Sequence, residues 1–351
     1  MRLILKFPVE LTKTRLKEVY YLCQGDYMMH TLTPQRTGIT LALLLFVATA
    51  CSQLNTETTA VSPSANIAGS STKVAKIKVV TTFLPMYMFT KAVTGDVAQV
   101  DILVPPGTDV HDYQAKPENV KALAQANILV KNGLGLEEFL AGTVKNAQNR
   151  KLTEIDASSG IKALESISPV VQTQPTGKKD EHETGNPHVW LDPVLVKQQV
   201  TNIRNGLITV DPANKATYET NAAAYIRQLD DLNNEFQVKL RKYPNCTFIT
   251  FHDAFPYLAK RYNLKQVAVV KIPEDQLSPT DVQNAVNAVK QYKVKALFSE
   301  PGVDNKLLTS LSQDLHLTLH PLDSMETGQT EPQHYFEAMR ANLQTLETSC
   351  K

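Results

Sequence analysis

No two cysteines in this chain of 351 residues are spaced as C-x-x-C; the four present are Cys23, Cys51, Cys246 and Cys350. That excludes thiolate zinc fingers and thioredoxin-like redox chemistry. Charge of one sign is also missing: Lys+Arg number 36 against 35 Asp+Glu, so no basic field exists to attract nucleic acid. No H-E-x-x-H motif is present, and the apolar run near the start, Ile39 to Ala50, is only about a dozen residues, short for a bilayer span. What remains, 42% hydrophobic and 20% charged residues, is the composition of a globular protein long enough for two domains.

The short apolar run has the length of a signal-peptide core. It ends in Ala48-Thr49-Ala50-Cys51, which resembles a bacterial lipobox and makes Cys51 the candidate lipidated residue, although Ala48 stands where Leu or Val is more usual. Residues 1–51 are therefore expected to be a lipoprotein signal region. Residues 1–27, with charges of both signs, sit oddly before it, and a start near Met28 would give an ordinary n-region with His30 and Arg36. Residues 52–75 are rich in Ser, Thr, Ala and Asn with no hydrophobic period and read as a flexible tether. Without 1–51 the balance is 30 basic to 32 acidic residues.

Beyond the tether, short apolar runs (77–82, 97–104, 127–130) alternate with helix-compatible stretches (85–94, 117–126), the pattern of parallel βαβ units. Asp211-Pro212 opens a segment free of further Pro and Gly to Lys242, with apolar residues mostly at three- and four-residue steps. As one helix it would be about 45 Å long. Strands at 247–251, 266–270, 296–298 and 317–319, with helices at 254–262 and 278–292, resume the alternation. The fold class expected is α/β: two lobes, 76–210 and 243–351, each a parallel sheet flanked by helices, joined by a long helix over 211–242.

Eight histidines occur. His111 and His252 fall just past predicted strands, as does Asp323, and His188 lies in Asn186-Pro187-His188-Val189-Trp190-Leu191-Asp192-Pro193. Ligands of open parallel sheets bind beyond the carboxyl ends of the strands, so loops from both lobes could meet in the crevice. Three imidazoles and a carboxylate suit Zn²⁺, whereas Ca²⁺ or Mg²⁺ would take an all-oxygen site. The four positions are 77, 64 and 71 residues apart, so spacing alone does not choose between a metal site and ordinary capping histidines.

At these residues the sequence resembles the metal-binding solute-binding proteins of ABC transporters, the zinc- and manganese-uptake class. The resemblance covers roughly 76–351 and rests on Pro105-Pro106-Gly107 with His111-Asp112-Tyr113 and Lys116-Pro117, on the Asn186–Pro193 segment, on Phe251-His252-Asp253-Ala254-Phe255-Pro256-Tyr257-Leu258 and on Phe298-Ser299-Glu300-Pro301. It implies two lobes with the metal between them, His111, His188 and His252 as ligands, and Asp323 as the fourth. Manganese-type members place Glu at the third position; His252 there favours Zn²⁺. Zinc-type relatives often carry a His- and acid-rich loop before the second ligand, of which residues 176–185 keep only Asp180-Glu181-His182-Glu183. His316, His320 and His334 match no ligand position. Cys246 and Cys350 are candidates for a disulfide in an oxidising compartment.

The resemblance thus implies an extracytoplasmic binding protein, not an enzyme, that hands Zn²⁺ (or Mn²⁺) to an ABC permease; Cys51 adds the expectation of a membrane anchor, the charge balance that of no nucleic-acid partner, and the protein is expected to be a monomer. Two alternatives stay open: a secreted zinc hydrolase, for which Glu300 is the nearest general base, and a surface adhesin.

Overall fold

The computed structural model describes residues 76–165, 185–270, 279–294, 296–302 and 306–351. The expected signal region with Cys51, the tether and the acidic residues Asp180 to Glu183 with His182 lie outside the described residues.

Two four-stranded sheets, all parallel, make up the architecture. In the first, β1 (Lys78–Thr81), β2 (Gln99–Ile102), β3 (Ile128–Lys131) and β4 (Thr153–Asp156) lie in the order β2-β1-β3-β4. In the second, β5 (Thr247–His252), β6 (Lys265–Val270), β7 (Ala296–Ser299) and β8 (Thr318–Pro321) lie as β6-β5-β7-β8. The topology repeats although no sequence repeat is visible. In each sheet the strand order reverses at the central pair, the place where open α/β sheets receive ligands.

Helices α1 (Leu84–Thr94), α2 (Pro117–Gln125) and α3 (Leu140–Ala147) flank the first sheet, and α4 (Pro193–Val210) leads away from it. Proline in the first turn starts α1, α2 and α4, where its missing N–H has no intrahelical role. Asp192 caps α4 by accepting the Val194 N–H at 2.9 Å. The long helix, α5 (Lys215–Leu240), is shorter than 211–242 because a 3-10 turn at Pro212–Asn214 precedes it; at about 1.5 Å per residue it spans about 39 Å. Tyr218, Ala222, Tyr225, Leu229, Leu232, Phe236 and Leu240 form its buried stripe. Helices α6 (Pro256–Arg261), α7 (Pro279–Tyr292), α8 (Lys306–Asp314) and α9 (His334–Ser349) complete the second half.

The halves do not keep wholly separate cores. One apolar cluster runs from Val79 and Phe89 through Trp190 and the α5 stripe to Phe248, Tyr335 and Leu346. Phe89 and Tyr335 meet edge to face at 5.2 Å, with Tyr225 against Phe336 at 4.8 Å. Cys246 and Cys350 form a disulfide, Cα to Cα 5.8 Å, that fastens the end of α9 just before β5. No helix among the described residues is long and apolar enough to cross a membrane.

Candidate metal centre

Each of the three expected histidines is aimed by its own local device. In the loop after β2, Asp109 Oδ1 accepts the His111 N–H at 2.8 Å, and Val110, 1% exposed, plugs the loop into the core. Asn186 Oδ1 lies 3.0 Å from both the backbone nitrogen and Nδ1 of His188, so one amide oxygen fixes backbone and ring together. Asn186 Nδ2 donates across to the Asp253 carbonyl at 2.6 Å. Behind that loop the buried Glu137 accepts the Thr82 hydroxyl and the Asn132 and Gly133 amides, and Asn132 Nδ2 donates to the Pro187 carbonyl at 3.1 Å. His252 ends β5, and its Nδ1 lies 2.6 Å from Glu300 Oε1, which follows β7.

With two Nδ1 atoms so engaged, the Nε2 atoms converge: His111 to His188 at 3.2 Å and His188 to His252 at 3.3 Å. Nitrogens at about 2.0–2.1 Å from a tetrahedral Zn²⁺ would be about 3.3–3.4 Å apart, so this spacing fits the ion. Ligand atoms of all three histidines and a carboxylate oxygen of Glu326 lie within 4.8 Å of one another.

Glu326 stands in the place expected for Asp323. Asp323 Oδ1 is turned back to accept the Met325 N–H at 2.7 Å, and the backbone N–H and C=O of Asp323 pair with Asn342 on α9, each at 2.8 Å. Met325 then takes a left-handed conformation, φ 69°, and the chain bends to bring Glu326 to the histidines. Asp323 therefore shapes the turn, and the acid three residues on reaches the cluster. The signal available in the sequence was that second acid in Asp323-Ser324-Met325-Glu326, which strand-end logic passed over. Glu300, considered above as a hydrolase base, instead orients His252, as carboxylates behind metal-binding imidazoles do. His316, His320 and His334 lie outside the cluster.

Electrostatics divides the imidazoles. Burial, reinforced by the charge of His252, lowers the His111 pKa to about 4, and burial first of all holds His188 well below its ordinary value. Burial also pulls His252 downward, but the Glu300 carboxylate outweighs it and raises the pKa to about 9. Near neutral pH the cluster holds its proton at His252, and a metal ion must displace that proton.

Residues 79–349 match the family model described as the periplasmic component A of a zinc-uptake complex. The chain is 31% identical over 321 residues to the high-affinity zinc uptake system protein ZnuA of Bacillus subtilis, covering 87% of this chain and 96% of that one. It is 32% identical over 277 residues to the zinc-binding lipoprotein AdcA of Streptococcus pneumoniae, but spans only 55% of that longer protein and 78% of itself. The crystal structure of the Zn(II)-bound ZnuA-like domain of that AdcA superposes with a TM-score of 0.65 at 31% identity, covering 78% of this chain and 99% of the domain.

Proposed function

From the premise that this chain belongs to the family of periplasmic zinc-uptake components, we propose that it captures Zn²⁺ outside the cytoplasm and delivers it to the permease of an ABC importer. It is a transport component, not an enzyme. His111, His188, His252 and Glu326 are the proposed ligands, and the observation that carries this reading is the spacing of the three Nε2 atoms, 3.2 and 3.3 Å. Four protein ligands saturate a tetrahedral ion and leave no position for a reactive water, which suits storage and hand-over. The imidazole-rich set favours Zn²⁺ over Mn²⁺.

The lipobox-like Cys51 supports a lipid anchor, the composition of residues 52–75 suits a tether, and the protein is read as a monomer. A lipoprotein among the relatives is in keeping with this. The decisive experiment is a competitive titration of the purified protein with Zn²⁺ and Mn²⁺ against chelators of known affinity. Tight one-to-one Zn²⁺ binding, sharply weakened in His252→Ala, is expected. Preference for Mn²⁺, or indifference to His252→Ala, would reject the cargo or the ligand set.

A further inference from the structure

The turn that carries Glu326 hangs from the second half of the molecule at one end, where Asp323 is paired with Asn342. Two further main-chain bonds of the turn cross to the first half. Trp190 Nε1–H donates to the Ser324 carbonyl at 2.8 Å, and the Gly107 N–H donates to the Glu326 carbonyl at 2.9 Å. Both donors sit on segments that present other ligands: Trp190 in the 3-10 turn directly after His188, and Gly107 in the loop of His111.

Trp190 has little freedom to give way. Its side chain is fully buried, Phe83 packs edge-on at 4.9 Å, the His188 ring lies at 4.9 Å, and its own carbonyl accepts the Tyr335 hydroxyl at 2.9 Å. Two residues beyond Glu326, Gly328 at φ 121° lies so close to the His334 ring that a Cβ there would collide with it.

We propose that Trp190 is a positioning residue for the fourth ligand: with the Gly107 amide it latches the Ser324–Glu326 turn across the two halves, and the opening of this latch sets the rate of metal release. The inference rests on the reading of zinc as cargo. It gives the tryptophan indole a role in residence time that its packing alone would not require.

The chain contains one tryptophan, so biosynthetic replacement of tryptophan by β-(3-benzothienyl)alanine exchanges the indole N–H for sulfur at this position alone and keeps the ring's volume. Zinc release from the purified full chain into excess chelator is then timed by stopped flow. Loss of one buried neutral hydrogen bond should speed release about fivefold. The same replacement in Glu326→Ala should leave that variant's release rate unchanged, because the latch then has no ligand to hold. Trp190→Phe should accelerate release in the same sense. Equal rates in native and substituted protein would overturn the latch, and so would an undiminished acceleration in Glu326→Ala. Failure of the native chain to bind zinc would overturn the cargo itself, and is seen before any replacement is made.

Discussion

Glu300 Oε1 lies 2.6 Å from His252 Nδ1, with both side chains buried at the junction of β5 and β7. The pair fixes the imidazole so that Nε2 faces His188, and it stabilises a proton on the ring that burial alone would expel. The carboxylate therefore both aims the ligand and makes metal binding a proton exchange.

Zinc affinity should accordingly depend on pH with a predictable sign. Between the His111 pKa of about 4 and the His252 pKa of about 9, binding one ion displaces one proton. The apparent affinity should rise about tenfold per pH unit through that window, level off above it, and fall more steeply below it. Calorimetry at pH 7 in buffers of different ionisation heat should count about one released proton.

The contribution of these histidines to the stability of the metal-free protein should peak near the ordinary histidine pKa of about 6.5. His252 has a raised folded pKa, so its contribution is complete below that value and is lost as pH climbs through about 9. His111 and His188 have lowered folded pKa values, so stability also falls as pH drops from about 6.5 toward 4. Zinc should abolish the alkaline limb, because the proton responsible has gone. Melting temperatures across pH, with and without the ion, check this.

Glu300→Gln keeps an acceptor for Nδ1–H but removes the charge. Zinc affinity should fall about 10- to 100-fold, the usual cost of losing a partner behind a metal ligand. Proton release on binding at pH 7 should shrink in the same variant.

The two acids of the turn should behave differently. Glu326→Gln removes the charged ligand and should weaken zinc binding at least about 100-fold. Asp323→Asn retains an oxygen for the Met325 N–H and should stay within a few-fold of native affinity. Equal losses in the two variants would overturn this division of roles.

Reducing the Cys246–Cys350 disulfide should separate stability from binding. The bridge closes a sequence separation of 104 residues, for which chain entropy suggests about 4–5 kcal/mol. Denaturant midpoints should drop on reduction or in Cys350→Ser, while zinc affinity in native buffer is retained, since Cys246 precedes β5 and His252 ends it.

Much of this was legible in the chain itself. The alternation of short β-branched runs with helix starts pointed to the α/β class; His111 and His252 stood out after predicted strands, and the motif resemblance around Asn186–Pro193 added His188. Elements with weaker patterns were not singled out: β4 is the four-residue Thr153–Asp156 with a single buried side chain, and α9 opens with His334 rather than a recognisable cap. The long helix was read a few residues too long because Asp211-Pro212 starts a 3-10 turn before it.

The sequence by itself determined the layer architecture and the residue types at the site, because hydrophobic period and turn chemistry are local properties. Which acid completes the cluster was decided only in three dimensions. A left-handed Met325, an aspartate folded back onto its own turn, and an asparagine 19 residues further on together bring Glu326 to the histidines. The pairing of Glu300 with His252 spans 48 residues. Contacts of that range are set by which strands become neighbours in a sheet, here β5 and β7, and no local pattern records them.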